Sequence, residues 1–156
     1  MKIHRRALCV GLGTVALALS AVPAALAQGR RQTIEVWKGP ACGCCKDWLT
    51  HLQANGFTTR AYDVGNDDAR KRLGMPQRLA SCHTGLVGGY VIEGHVPARE
   101  IHRLLTEKPE AIGLAVPGMP IGSPGMDGPE YGGRRDRYAV LLVRRDGSTS
   151  VYQSYG

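Results

Sequence analysis

Three of the chain's five cysteines fall within four positions, Cys42-Gly43-Cys44-Cys45, and no other feature narrows the fold as far. Ahead of them, Thr33-Ile34-Glu35-Val36-Trp37 alternates in polarity and is rich in β-branched residues, which predicts a strand. Lys38-Gly39-Pro40-Ala41 then turns the chain. From Cys44 to Asn55 the apolar residues Trp48, Leu49 and Leu52 recur at helical spacing, and Asn55-Gly56 is a stop signal. The cysteines therefore sit at the head of a helix. Structural disulfides would be a poor use of such crowding. Adjacent Cys44 and Cys45 cannot join without strain, and a Cys42–Cys45 bridge closes a very small loop, where the entropic gain is least. The cluster is built for sulfur chemistry.

The remaining pattern says what lies beside it. Phe57 to Val64 predicts a second strand, and Asp67-Asp68 opens a short helix through Leu73, ended by Gly74 and Pro76. Thr84–Val87 and Tyr90–Ile92 are short strands around Gly88-Gly89. Pro97 starts a helix whose apolar face is Ile101, Leu104 and Leu105. The order β, cysteine-headed helix, β, α, β, β, α predicts an α/β domain of thioredoxin-like fold. In that fold the loop before the third strand packs against the helix-head cysteines. Here that loop is Ser81-Cys82-His83-Thr84, so the distant Cys82 is predicted beside the other three. Ala111 to Gly133 is a Gly/Pro-rich loop containing Met119 and Met126, and a loop of this length in a compact domain is functional or disordered. Tyr138–Val143, the turn Asp146-Gly147 and Thr149–Tyr155 predict an added β-hairpin.

The first residues set the compartment. Lys2, Arg5 and Arg6 precede an apolar run from Ala7 to about Ala21, Pro23 breaks it, and Ala25-Leu26-Ala27 supplies a small-x-small cleavage pattern. Residues 1–27 are predicted to be a signal peptide cleaved after Ala27, leaving a single domain over 28–156. The apolar run is shorter than the ~20 residues a membrane span needs, so the mature form is predicted to have no membrane span. Cleavage removes Cys9, three of the 20 Lys+Arg and none of the 13 Asp+Glu, which lowers the net charge from +7 to +4. The basic runs Arg70-Lys71-Arg72 and Arg134-Arg135-Asp136-Arg137 lie among acids, and one Phe leaves little to stack on bases, so no nucleic-acid partner is expected.

Four cysteines remain: Cys42, Cys44, Cys45 and Cys82. A thiol near a helix N-terminus is acidified by the unpaired N–H groups, and Lys38 and Lys46 add positive charge. A redox dithiol needs two sulfurs, and this site offers four. Structural zinc draws its cysteines from two separated knuckles, and no second knuckle exists here. Crowded thiolates suit bridging between several monovalent ions, which points to Cu(I) held as a multinuclear thiolate cluster. The thioethers of Met119 and Met126 are soft donors of the same preference and are candidate ligands. His83, next to Cys82, is a candidate secondary ligand. His95 reads as a turn or cap residue, and His51 and His102 as helix-surface residues. Trp37 and Trp48 read as packing residues, with Trp37 near enough to shield the site.

Lys38 to Trp48, Ser81-Cys82-His83-Thr84, Tyr90 to Pro97, Gly113 to Pro120 and Gly122 to Met126 together resemble the CopG-like family, also known as domain of unknown function 411. The resemblance runs from about Thr33 to Tyr155. It implies a bacterial periplasmic protein of thioredoxin-like fold that binds copper through Cys42, Cys44, Cys45 and Cys82 and serves copper resistance. The leading expectation is a Cu(I)-binding protein that stores the ion or hands it to a periplasmic copper exporter or copper chaperone. The alternative is a thiol–disulfide or copper-redox oxidoreductase working through Cys42 and Cys45.

Overall fold

The computed structural model describes residues 31–156; the expected signal peptide lies outside them. Each cysteine-proximal element forms where its pattern predicts. Strand β1 is Thr33–Lys38, helix α1 Gly43–Ala54, strand β2 Thr58–Tyr62 and helix α2 Asp67–Arg72. Strands β3 (His83–Val87) and β4 (Tyr90–Glu93) form a hairpin, followed by helix α3, Ala98–Glu107. Strand β5, Gly113–Ala115, precedes the closing hairpin of β6 (Tyr138–Val143) and β7 (Thr149–Tyr155). Short 3₁₀ turns occupy Gln77–Leu79 and Pro129–Tyr131.

All seven strands join one mixed sheet in the order β2-β1-β3-β4-β5-β6-β7. β1 runs parallel to β2, and β4 parallel to β5, while the other neighbours are antiparallel. Two apolar layers cover it, as the period of two along each strand requires. Ile34, Val36, Ile92, Leu114 and Val140 face Trp48 and Leu52 of α1 and Ile101 and Leu104 of α3. Their chain neighbours Val91 and Ala115, with Val143, point the other way onto Met75 and Leu79.

Strand β5 is a correction to the sequence reading, which left Ala111–Gly133 without regular structure. Three residues carry too little pattern to announce a strand. They are held from both sides, Leu114 pairing with Ile92 of β4 and with Leu142 of β6. Gly113 is needed there because a Cβ would lie 1.8 Å from the Val91 carbonyl oxygen. Among the described residues, no helix is long and apolar enough to cross a membrane.

Candidate metal centre

Strand register explains why the four cysteines meet. Lys38, the last residue of β1, pairs with His83, the first of β3, so the turn leading into α1 lies beside Cys82. Thr84 pairs with Glu93 at the end of β4, and Gly94 N donates to His83 O at 3.0 Å. That places His95 at the same edge. Val116 N donates to Glu93 O at 2.9 Å, so the long loop after β5 also begins there.

Cys42 is the N-cap residue of α1, and its side chain makes no capping hydrogen bond. Cys44 and Cys45 follow in the first turn, Cys45 buried and the others half-buried. Cys42 and Cys45 are joined as a disulfide with their Cα atoms 5.3 Å apart, while Cys44 and Cys82 are free. The sequence shows why such a bridge adds little stability, because its closed loop is very small. One helical turn nonetheless brings positions three apart into disulfide range, so the bond forms without that entropic gain. Cys44 Sγ lies 3.5 Å from Cys42 Sγ and 3.8 Å from Cys82 Sγ, and Cys45 Sγ lies 3.6 Å from the Cys82 carbonyl oxygen. All four sulfurs fall within 4.8 Å of one another.

Cys82 also belongs to a second group, with His83 and His95. Its Sγ is 2.9 Å from His95 Nε2 and 3.4 Å from His83 Nδ1. Each imidazole has its other nitrogen on a backbone carbonyl: His95 Nδ1 on Pro124 O at 2.8 Å and His83 Nε2 on Gly94 O at 2.9 Å. A carbonyl can only accept, so those nitrogens carry the protons, and the lone pairs of His95 Nε2 and His83 Nδ1 face Cys82. Both rings are buried. Burial pushes the His83 imidazole well below its ordinary value, and neighbouring His95 and Lys38 push it further. Burial lowers His95 too, against the opposing Pro124 carbonyl and Asp127. Two neutral imidazoles therefore turn lone pairs toward the same sulfur, whose single S–H can donate to one of them at a time. Burial pushes the Cys82 thiol up to about 12, and Cys44 adds to this.

His95, which the sequence favours as a turn or cap residue over a ligand, lies against Cys82 in the structure. A histidine in a turn before a proline has no local signal that separates a cap from a ligand; only the pairing of β3 with β4 brings it to Cys82. His51 caps instead, accepting from the Ala98 backbone N–H at 3.1 Å. His102 stays on the surface, stacked on Phe57. Trp48, rather than Trp37, packs against the site: its ring lies 4.1 Å from that of His83, and its Nε1 donates to Val96 O at 2.9 Å. Trp37 stacks on Tyr62 with Arg72 over its ring. Lys38 is buried and paired with Asp63 at 2.5 Å, while Lys46 is exposed.

A buried ion pair fixes the Cys82 loop from below. Glu93 Oε1 accepts from Arg70 Nε at 2.9 Å and from the Ser81 backbone N–H at 2.8 Å, and Oε2 accepts from Thr84 Oγ1 at 2.6 Å. Arg70 also donates to Ser81 O at 2.9 Å. Burial pushes the Glu93 carboxyl up, while the Thr84, Arg70 and Ser81 donors favour its charged form. Ser81 is thus gripped at both its N–H and its carbonyl, one residue before Cys82.

The two methionines part company. Met126 is buried, and its sulfur accepts from Tyr131 OH at 3.3 Å. The adjoining Gly125 lies against the head of α1 in the left-handed region, where a Cβ would be 2.6 Å from Cys44 O and 2.8 Å from Trp48 N. Met119 is 52% exposed and lines a cavity of about 360 Å³ together with Ser81 and Cys82. The loop therefore covers the start of α1 with one methionine in and one out.

Residues 79–126 match the family model described as "Protein of unknown function, DUF411", a span that includes Cys82, His83, His95 and both methionines. A solved structure of copper resistance protein CopG, form 2, is 44% identical, with 81% of this chain and 100% of that chain covered and a TM-score of 0.75. Form 1 of the same protein is 45% identical over 81% of this chain and 98% of that chain, with a TM-score of 0.74. The chain belongs to the CopG-like copper-resistance family. No curated protein matches it. In this CopG-like chain Cys44 and Cys82 are both free, with their sulfurs 3.8 Å apart.

Proposed function

We propose that this is a periplasmic copper-binding protein that holds Cu(I) in its reduced state as a multinuclear thiolate cluster on Cys42, Cys44, Cys45 and Cys82. The observation that carries the reading is the convergence of four sulfurs within 4.8 Å, from two segments about forty residues apart. Thiolates are the donors that Cu(I) prefers over harder cations, and sulfurs this close suit bridging between ions better than a tetrahedron about one. His83 and His95 stand behind Cys82 as further nitrogen donors or as groups that orient it. The relationship to copper resistance protein CopG supports copper as the metal. The sheet order β2-β1-β3-β4, with β1 and β2 parallel and cysteines heading the helix between them, supports the thioredoxin-like reading of the fold. Export rests on the leader-like pattern of residues 1–27, with hand-over to a copper exporter or chaperone as the role in resistance.

The Cys42–Cys45 bond favours a second, redox reading of the same site. Cleaving it to two thiols takes two electrons and two protons. Two Cu(I) ions supply those electrons in becoming Cu(II), so copper oxidation and disulfide reduction balance.

The test is anaerobic Cu(I) loading of the mature protein, followed by desalting against a competing chelator, with copper and free thiols counted. Reduced protein is expected to retain several copper ions, and protein with the disulfide intact to retain fewer. Failure of the reduced protein to retain copper would overturn the binding reading. Cu(II) signals together with two new thiols in the disulfide-intact sample would favour the redox reading.

A further inference from the structure

Among the described residues only three large apolar side chains are markedly exposed: Val64, Met119 and Val151. Met119 differs from the other two in what surrounds it. It shares its cavity with Cys82, and Asn66, Asp67, Arg70 and Ser81 are among the other residues that line it. The segments bearing the two sulfurs are stapled together within two residues of each. Gly118 N donates to Ala80 O at 3.2 Å, and Ser81 Oγ donates to Gly118 O. Those two bonds hold the backbone beside Met119, and Pro120 restricts it on the other side, although the Met119 side chain is open to solvent. Burying Met119 with Met126 would remove apolar surface from water; the fold instead leaves this side chain exposed, lining the same depression as Cys82.

Resting on the copper reading above, we infer that Met119 is a capture ligand: its thioether takes Cu(I) at the surface and passes it to Cys82. A thioether is neutral and binds Cu(I) without losing a proton, so it suits rapid capture and release. Thiols hold more firmly but must deprotonate first. In the transfer step the copper–thioether bond breaks as the copper–thiolate bond to Cys82 forms, and the thiol proton leaves to solvent. Copper stays Cu(I) throughout. Met126, whose sulfur is engaged by Tyr131, has no such access.

Stopped-flow mixing of the reduced mature protein with the Cu(I)–bicinchoninate complex reads capture and retention separately. Met119→Leu keeps size and apolarity while deleting the donor. Uptake is expected to slow roughly tenfold, within the range that association rates vary among mutants of one site. The final copper-to-protein ratio and the affinity should match the unsubstituted protein. An unchanged uptake rate would overturn the inference. A lowered final ratio would overturn it as well, by making Met119 a resident ligand of the cluster. Absence of uptake by the unsubstituted protein would instead remove the copper reading, and that is read before any variant is made.

Discussion

Cys82→Ser is expected to cost the reduced protein most of its bound Cu(I), with affinity falling by at least about a hundredfold. Loss of partners one step out from a metal already costs 10–100-fold, and Cys82 is proposed to touch the metal itself. Serine is a near-isostere, so the change isolates the donor atom. Its hydroxyl is hard, keeps its proton at neutral pH and cannot bridge soft ions. The position also matters. Of the four cysteines Cys82 is the one contributed from away from the head of α1, and its sulfur faces the lone pairs of His83 and His95. Competition with a colorimetric Cu(I) chelator measures the change. A full complement of copper at unaltered affinity in Cys82→Ser would exclude a four-cysteine site.

The second large effect concerns stability. Glu93→Gln is expected to destabilise the protein by about 3 kcal/mol, the lower end for breaking a buried ion pair by removing one partner. Glutamine keeps the shape but presents an NH₂ where a carboxylate oxygen accepted, and it leaves the buried Arg70 short of a counter-charge. Arg70 retains Asp67 at 2.6 Å, which limits the loss. Reversible urea unfolding of the metal-free protein checks the value. The pair is not an efficient source of stability in itself. Apolar residues of similar volume at both positions can match a buried ion pair, so the double change Arg70→Met, Glu93→Leu should recover part of what Glu93→Gln loses. What that double change should not recover is copper affinity, because Ser81 would still have lost the two partners that hold the Cys82 loop. An unfolding midpoint for Glu93→Gln equal to that of the parent would contradict this account of the loop.

Much of this architecture is legible in the sequence alone. The alternation in Thr33–Trp37 and the helical spacing of Trp48, Leu49 and Leu52 placed β1 and α1 almost to the residue, because both elements bury a face whose period the side chains must follow. The meeting of Cys82 with the other cysteines followed from element order, and strand register supplies the reason. Features set by tertiary contacts were hidden. Strand β5 is three residues held by two neighbours, and its glycine, ordinarily a strand breaker, is there for close backbone approach. His95 is brought to Cys82 by a hairpin pairing that no residue near it announces. Met119 and Met126 each follow a glycine within one loop and look equivalent in the sequence; only packing against α1 buries one and leaves the other at the surface.

The most direct test of the central claim is copper K-edge X-ray absorption on the Cu(I)-loaded, reduced protein. A multinuclear thiolate site predicts an inner shell dominated by sulfur and a short copper–copper vector from ions sharing a bridging thiolate. An inner shell of nitrogen and oxygen, or a sulfur shell with no copper–copper vector at full loading, would contradict it.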